Sequence, residues 1–313
     1  NTVNCNANSD QYNFLKYDIS DNTKLINIFN EFKPNLVLHL AADSHVDRSI
    51  DNPNTFIKNN ILGTYNLLMA SLKFWKSCIN STNESFMFHH VSTDEVYGDQ
   101  KKTKKDFLKN PIYRPSSPYS ASKASSDHLV RAWHRTYGLP MIITICTNNF
   151  GPFQFPEKLI PHTILNAIYG KEIPVYGDGN QIRNWLFVED HIKALLILAN
   201  NGKIGETYHI SGFKNIRNID LVKQICFFLE EYLPEKPKGV NRYKDLITFV
   251  RDRPGHDEKY CLNSSEILTK YGWKPEASFE KGIKKTVRWY LKNSSWWKKI
   301  LQGDYYLERL GNL

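Results

Sequence analysis

Short apolar runs separated by longer stretches of helical periodicity set the pattern of this chain. Phe86-Met87-Phe88-His89-His90-Val91 reads as a strand, and Met141-Ile142-Ile143-Thr144-Ile145-Cys146 reads as a buried parallel strand. Pro34 precedes another, Leu36-Val37-Leu38-His39-Leu40. Helices are predicted over about 22–32 and 55–76, and a third from Pro118, which suits a helix start, through Val130. From Gly151 the segments become rich in Pro, Gly and aromatics, which marks a second domain. Asn184-Trp185-Leu186-Phe187-Val188-Glu189-Asp190 and the helix after it are expected to return to the first. Residues 215–271 then alternate helix and short strand, and a tail with Trp289, Trp296 and Trp297 reads as a packed terminal helix.

Polar groups that packing does not require sit at the ends of two of these elements. The Phe86 strand runs into Ser92-Thr93-Asp94-Glu95-Val96-Tyr97-Gly98, placing Thr93, Asp94 and Glu95 where open α/β sheets keep their ligand crevice. In the third helix Tyr119 and Lys123 are four residues apart and share a face. An ammonium beside a phenol favours the phenolate, which could take a proton from a sugar hydroxyl. Taken alone, each feature has a plain alternative: a surface Tyr and Lys at helical spacing, and a solvated acidic turn. Their conjunction, with Asp94 and Tyr119 25 residues apart behind a buried strand, is more specific.

With these motifs the sequence resembles the extended short-chain dehydrogenase/reductases and, within them, the dTDP-glucose 4,6-dehydratases. The resemblance covers almost the whole chain. It also rests on Ala41-Ala42-Asp43-Ser44-His45-Val46-Asp47-Arg48-Ser49, Asn148-Asn149-Phe150-Gly151-Pro152, Phe155-Pro156-Glu157-Lys158-Leu159-Ile160-Pro161, Gln181-Ile182-Arg183-Asn184-Trp185 and Asp252-Arg253-Pro254-Gly255-His256-Asp257. It implies an α/β, Rossmann-like doubly wound parallel sheet with a smaller α/β substrate domain. The cofactor domain would take 1–150 and a returning segment of about 184–210; the substrate domain would take 151–183 and 211–313.

The same resemblance implies tightly bound NAD, a dTDP-glucose substrate and a homodimer paired through the helices near 55–76 and 119–137. Tyr119 and Lys123 would oxidise the sugar at C4, Glu95 would take the C5 proton, Asp94 would protonate the departing 6-hydroxyl, and Thr93 would bind the 4-oxygen. Cofactor contacts fall on Asp18, Ile19, Leu40, Ala41, Ala42, Ser44, Asn59, Asn149, Tyr119 and Lys123. Substrate contacts fall on Ser44, Thr93, Asn148, Lys158, Leu159, Pro174, Tyr176, Arg183, Asn218, Arg253 and His256. Arg suits such a cleft because it grips a diphosphate bidentately. A 4-epimerase would share Tyr119 and Lys123 but lack the Asp-Glu pair. Other nucleotide-sugar dehydratases and a non-catalytic homologue are the remaining alternatives.

The chain departs from the family in three places. Asn59 stands where a Thr is usual, the Lys-rich link from Asp99 to Arg114 is short, and the opening strand with its glycine-rich turn is not in the sequence. Tyr12-Asn13-Phe14-Leu15-Lys16-Tyr17-Asp18-Ile19 then corresponds to the third strand. The expectation is a protein whose first βαβ unit precedes this sequence, because without it apolar sheet edges and faces would be exposed.

Composition changes little of this. The 313 residues are 41% apolar and 13% aromatic, which is globular, and no run of about 18 apolar residues suggests a membrane span. The first nine residues are polar, without the apolar core of a signal peptide. Five scattered cysteines fit reduced thiols in a cytoplasmic protein, with no disulfide framework or zinc site expected. His89-His90 points to opposite faces of its strand and reads as one core and one surface histidine rather than a metal site. A net charge of +9 is spread along the chain, with one run at Lys101-Lys102-Thr103-Lys104-Lys105 read as a solvated loop, so no nucleic-acid partner is expected.

Overall fold

The computed structural model describes residues 12–78, 85–100, 111–260, 262–303, 305 and 307. The opening polar segment and the run at 101–105 lie outside them. Residues 13–17 carry no regular structure and are exposed, so the strand expected over Tyr12–Ile19 does not form. Asp18 instead closes a turn, accepting from the Ser20 amide at 2.8 Å. A strand is stable only with ladder partners, and residues 13–17 join none of the described sheets.

Helix α1 (Asn22–Phe32) starts at Asp21, whose carboxylate accepts from the Lys24 amide at 3.1 Å, and leads to β1 (Leu36–His39). Two short helices, α2 (Val46–Asp51) and α3 (Pro53–Phe56), follow. A π-helical turn, Ile57–Leu62, then runs into α4 (Gly63–Cys78). The single helix expected near 55–76 is therefore three helical stretches in succession. Next come β2 (Met87–Thr93), α5 (Pro118–Tyr137) and β3 (Met141–Cys146). After β4 (Asn148–Phe150), α6 (Leu159–Ile168), β5 (Ile173–Tyr176), β6 (Ile182–Phe187) and α7 (Val188–Asn201), strand β7 (Thr207–Ile210) joins the main sheet.

That sheet is parallel throughout, in the order β1-β2-β3-β7. Every residue of β3 is buried because both faces are covered. Met141, Ile143 and Ile145 pack with Phe88, Leu68 and Val130 under α4 and α5, while Ile142 and Cys146 pack with Leu195 and Leu198 of α7. The same double cover corrects the histidine expectation: His89 and His90 do point opposite ways, yet both are fully buried. Burial holds both rings neutral, His89 down to about 3 and His90 to about 4.

The remaining chain builds a second core. Strand β8 (Asn215–Arg217) pairs antiparallel with β6, which pairs parallel with β4; β9 (Ile247–Val250) pairs with β5. Helices α8 (Asn218–Tyr232), α10 (Phe279–Lys292) and α11 (Ser294–Gly303) complete it, while α9 (Ser265–Tyr271) packs Ile267 against α7 and against β7 of the main sheet. The expected terminal helix is two helices broken at Asn293, with Trp297 buried and its indole N–H donating to Tyr290 O at 2.8 Å. Among the described residues no helix is long and apolar enough to cross a membrane.

Candidate active site

The site begins where β2 ends. The Thr93 hydroxyl accepts from the Glu95 amide at 3.4 Å and so starts the single 3-10 turn Asp94–Tyr97. Gly98 closes that turn at φ 65°, and a Cβ there would sit 1.9 Å from the Arg114 carbonyl oxygen. That close approach lays residues 111–117 beside the turn and aims them into α5. Ser117 caps α5 with a reciprocal Ser117–Ser120 box and Pro118 at its first position, as the sequence predicted for the helix start.

Asp94 is 1% exposed, and its Oδ2 has no hydrogen-bond partner among the described residues. Burial, then the neighbouring Glu95 charge, pushes its carboxyl well above the usual range, against a smaller pull from Arg183. Burial raises Glu95 as well, with Arg253, Arg183 and Lys158 pulling it back. Tyr119 is buried beneath Phe56, and burial followed by the Glu95 charge pushes its phenol well up, while a hydrogen bond with Thr93 pulls down. This reverses the direction expected from Lys123 alone. The Lys123 ammonium, lowered by burial, is turned onto the Val91 carbonyl oxygen at 2.9 Å.

In front of Glu95 lies a cleft of about 200 Å³. Of the proposed substrate contacts, Ser44, Asn148, Lys158, Leu159, Pro174, Tyr176, Arg183, Asn218, Arg253 and His256 line it; Thr93 does not. Its walls are tied together across the chain. Lys158 Nζ donates to Ser44 O at 2.5 Å, and Arg253 donates to Asp47 Oδ1 at 2.8 Å while the Tyr176 hydroxyl donates to Oδ2 at 2.7 Å. The Arg183 guanidinium stacks 4.2 Å over the Tyr260 ring and donates to the Asp257 carbonyl at 2.7 Å. Burial and the two arginines hold His256 down to about 4, although Asp252 meets its Nδ1 at 2.7 Å.

Buried acceptors at Asn148 Oδ1 and Asn218 Oδ1 and a buried donor at Arg253 Nε have no partner among the described residues. They offer a polar ligand hydrogen bonds inside the cleft.

The proposed cofactor contacts lie elsewhere, apart from Ser44 and Asn149, which line the cleft. Leu40, Ala41 and Ala42 leave β1 exposed, and Ile19 packs over Gly63. Asn59 donates to Asp43 Oδ2 at 2.8 Å. Asn149 Nδ2 is spent on Cys146 Sγ and Thr147 O, leaving Oδ1 as a buried free acceptor. These features, an exposed strand end and a buried amide acceptor next to Cys146, fit a carboxamide-bearing dinucleotide.

Sequence reasoning assigned no role to several residues that build the site. Asp47 holds Arg253 and Tyr176, and Asn60, 1% exposed, joins Asp43 to Ser122 through three hydrogen bonds. His45, Glu157 and His162 line the cleft too. Asp47 and His45 stood inside the motif from Ala41 to Ser49; Asn60 carried no signal.

The family model for GDP-mannose 4,6 dehydratase matches residues 2–286. A curated dTDP-glucose 4,6-dehydratase of Neisseria meningitidis serogroup B is 56% identical over 97% of this chain and 86% of its own length. Among solved structures, the dTDP-glucose 4,6-dehydratase of Streptomyces venezuelae, determined with NAD bound, superposes with a TM-score of 0.82 at 36% identity, over 93% of this chain and 83% of that one. That of Bacillus anthracis, also in complex with NAD, gives 0.78 at 37% identity over the same shares. Alike in sequence over nearly its whole length and in the path of its backbone, the chain belongs to the dTDP-glucose 4,6-dehydratase family.

Proposed function

We propose that this protein converts dTDP-glucose to dTDP-4-keto-6-deoxyglucose and water, as a hydro-lyase of deoxysugar (rhamnose-type) biosynthesis. The observation that carries the reading is the Asp94–Glu95 pair at the end of β2 beside Tyr119, with Asp94 buried and Glu95 facing the cleft. Bound NAD supplies the hydride acceptor at sugar C4 and the donor that returns it to C6. Tyr119 takes the proton of the 4-hydroxyl; burial and the Glu95 charge oppose its phenolate, which the positive ring of bound NAD would favour together with Lys123 one helical turn away. The 4-ketone acidifies C5–H, which Glu95 removes. Asp94, kept protonated by burial and by Glu95, gives its proton to the departing 6-hydroxyl. Thr93 donates to the 4-oxygen as charge develops there. A 4-epimerase would leave Asp94 and Glu95 without work.

Arg253, Arg183 and Lys158 face the sugar diphosphate with Asn148, while Leu159, Pro174, Tyr176, Asn218 and His256 contact the nucleotide. Asp18 and Ile19 would hold the adenine end of NAD, and Leu40 to Ala42, Ser44, Asn59 and Asn149 would line the rest of its site. Residues 1–150 and about 184–210 form the cofactor domain, and 151–183 with 211–313 the substrate domain. The protein pairs as a homodimer in the cytoplasm through the helical stretch near 55–76 and the helix near 119–137. The exposed apolar side chains Ile57, Leu62, Tyr65 and Met69 support that pairing, and a monomer by light scattering would count against it.

The deciding experiment is mass spectrometry of dTDP-glucose incubated with the purified protein, without and then with added NAD. Loss of one water is expected. An unchanged mass under both conditions refutes the assignment.

A further inference from the structure

Two residues one helical turn apart on α5 grip three consecutive residues of β2. Lys123 Nζ donates to the Val91 carbonyl oxygen at 2.9 Å, while Asp127 accepts from His90 Nε2 at 3.0 Å and from Ser92 Oγ at 2.8 Å. The Tyr113 hydroxyl, from the segment leading into α5, donates to the same carboxylate at 2.8 Å. Asp127 is 0% exposed. A buried carboxylate with three donors and a cation one turn away is a fixed charge, and it lies between the two catalytic segments. Strand β2 continues directly from Ser92 into Thr93, Asp94 and Glu95, and α5 carries Tyr119 and Lys123 in its first two turns.

We propose that Asp127 is a positioning residue for the dehydration: it fixes α5 in register on β2, so that Tyr119 stays opposed to Thr93 and Glu95, and it is the counter-charge of Lys123. The inference rests on the function proposed above. The groups facing Asp127 are His90 from β2, Tyr113 and Tyr97 from the segments on either side of the 3-10 turn and its link, and Lys123 and Arg131 from its own helix. His39 of β1 and Cys146 of β3 face Lys123. Burial disfavours the charge on Asp127, yet His90, Lys123 and Tyr113 together hold it below the usual carboxylate range. Asp127 favours the ammonium form of Lys123. Neutralising it therefore lets Lys123 lose its proton at lower pH.

The test uses the full-length protein carrying its NAD, in wild-type, Asp127→Asn and Asp127→Glu forms, with kcat and KM for dTDP-glucose measured across pH. In D127N we expect the alkaline limb of kcat to move down by about one pH unit. Its kcat should fall about tenfold or more, with KM held within about twofold. D127E restores the position of the limb, because it restores the charge, while its longer side chain leaves kcat below wild type. A D127N profile that overlays wild type, a rise in KM with kcat unchanged, or a D127E limb displaced like that of D127N would each overturn the proposal. Should D127N not fold, Ser92→Ala decides the register claim, since it removes one of three donors and keeps the charge. A fall in kcat of about threefold with an unmoved limb supports the claim, and a wild-type kcat overturns it. Failure of wild type itself to dehydrate dTDP-glucose would instead refute the assigned function, whatever the variants do.

Discussion

The ion pair between Asp47 and Arg253 offers the sharpest test of how the cleft is held open. The two lie 206 positions apart in the chain, and their side chains are 5% and 15% exposed. Replacing Asp47 by Ala removes the acceptor of both Arg253 Nη1 and the Tyr176 hydroxyl, and leaves the guanidinium buried without its partner. Breaking a buried pair from one side costs about 3–5 kcal/mol, and the residual exposure of Arg253, which lets water reach it, places the expectation near the lower end, ~3 kcal/mol. Urea unfolding of wild type, D47A, R253A and the double variant measures the cost and the coupling, with the double variant losing at least ~1 kcal/mol less than the sum of the singles. The pH dependence has a definite sign. Burial opposes ionisation of Asp47, but Arg253, His45 and Tyr176 outweigh it, so its folded pKa is depressed. A depressed carboxyl contributes stability that is full above its unfolded value, about 3.9, and is lost as pH falls through the folded value. The gap between wild type and D47A should therefore hold at neutral pH and close in the acid range below about pH 4. A D47A loss under ~1 kcal/mol at pH 7, or a gap that widens on acidification, would refute this account of the cleft.

Tyr119→Phe removes the proton acceptor and should lower kcat by about a thousandfold with little change in KM, read by product formation from dTDP-glucose. Asp94→Asn and Glu95→Gln should both stop dehydration but differ in deuterium exchange at sugar C5: D94N keeps the exchange because Glu95 remains, and E95Q loses it. Equal exchange in both variants would undo the division of roles. Because Glu95 works as a base with a raised pKa, activity should fall on acidification at a pH above the ordinary carboxylate range. Asp94, raised more strongly still, stays protonated across that range, so D94E should leave the alkaline limb, which follows Lys123, where wild type has it.

The elements with a strong periodic signal were legible in the amino-acid order. The helix at Asn22–Phe32 and the strand at Met141–Cys146 fall on the predicted residues, because a capped amphipathic stretch and an unbroken apolar run leave few alternatives. Thr93, Asp94, Glu95, Tyr119 and Lys123 could be placed on a strand end and a helix start for the same reason. Residues whose environment is made by distant chain were not. His89 looks like either face of a strand until α7 covers it. Asp47, Asn60 and Asp127 read as polar surface positions until Arg253, Asp43 and His90 arrive. The direction of the Tyr119 shift was missed because spacing reveals the nearby Lys123 but not the depth of burial, which outweighs it.

The π turn at Ile57–Leu62 works as a phase shift in an otherwise continuous rod. Upstream, Phe56 lies edge-on to Tyr119 at 6.2 Å; downstream, Thr64 meets His39 at 2.9 Å; between them Asn60 reaches Asp43 and Ser122. The wider turn accommodates one residue more than an α-helix would, so the two halves present faces about 100° apart from those of a regular helix. Deleting a single residue here would leave composition and helicity almost untouched, yet it would rotate Phe56 off Tyr119 or Thr64 off His39. Chain length in this rod is thus as tightly specified as side-chain identity, and redesigns of this protein should vary residues between 57 and 62 only at constant length.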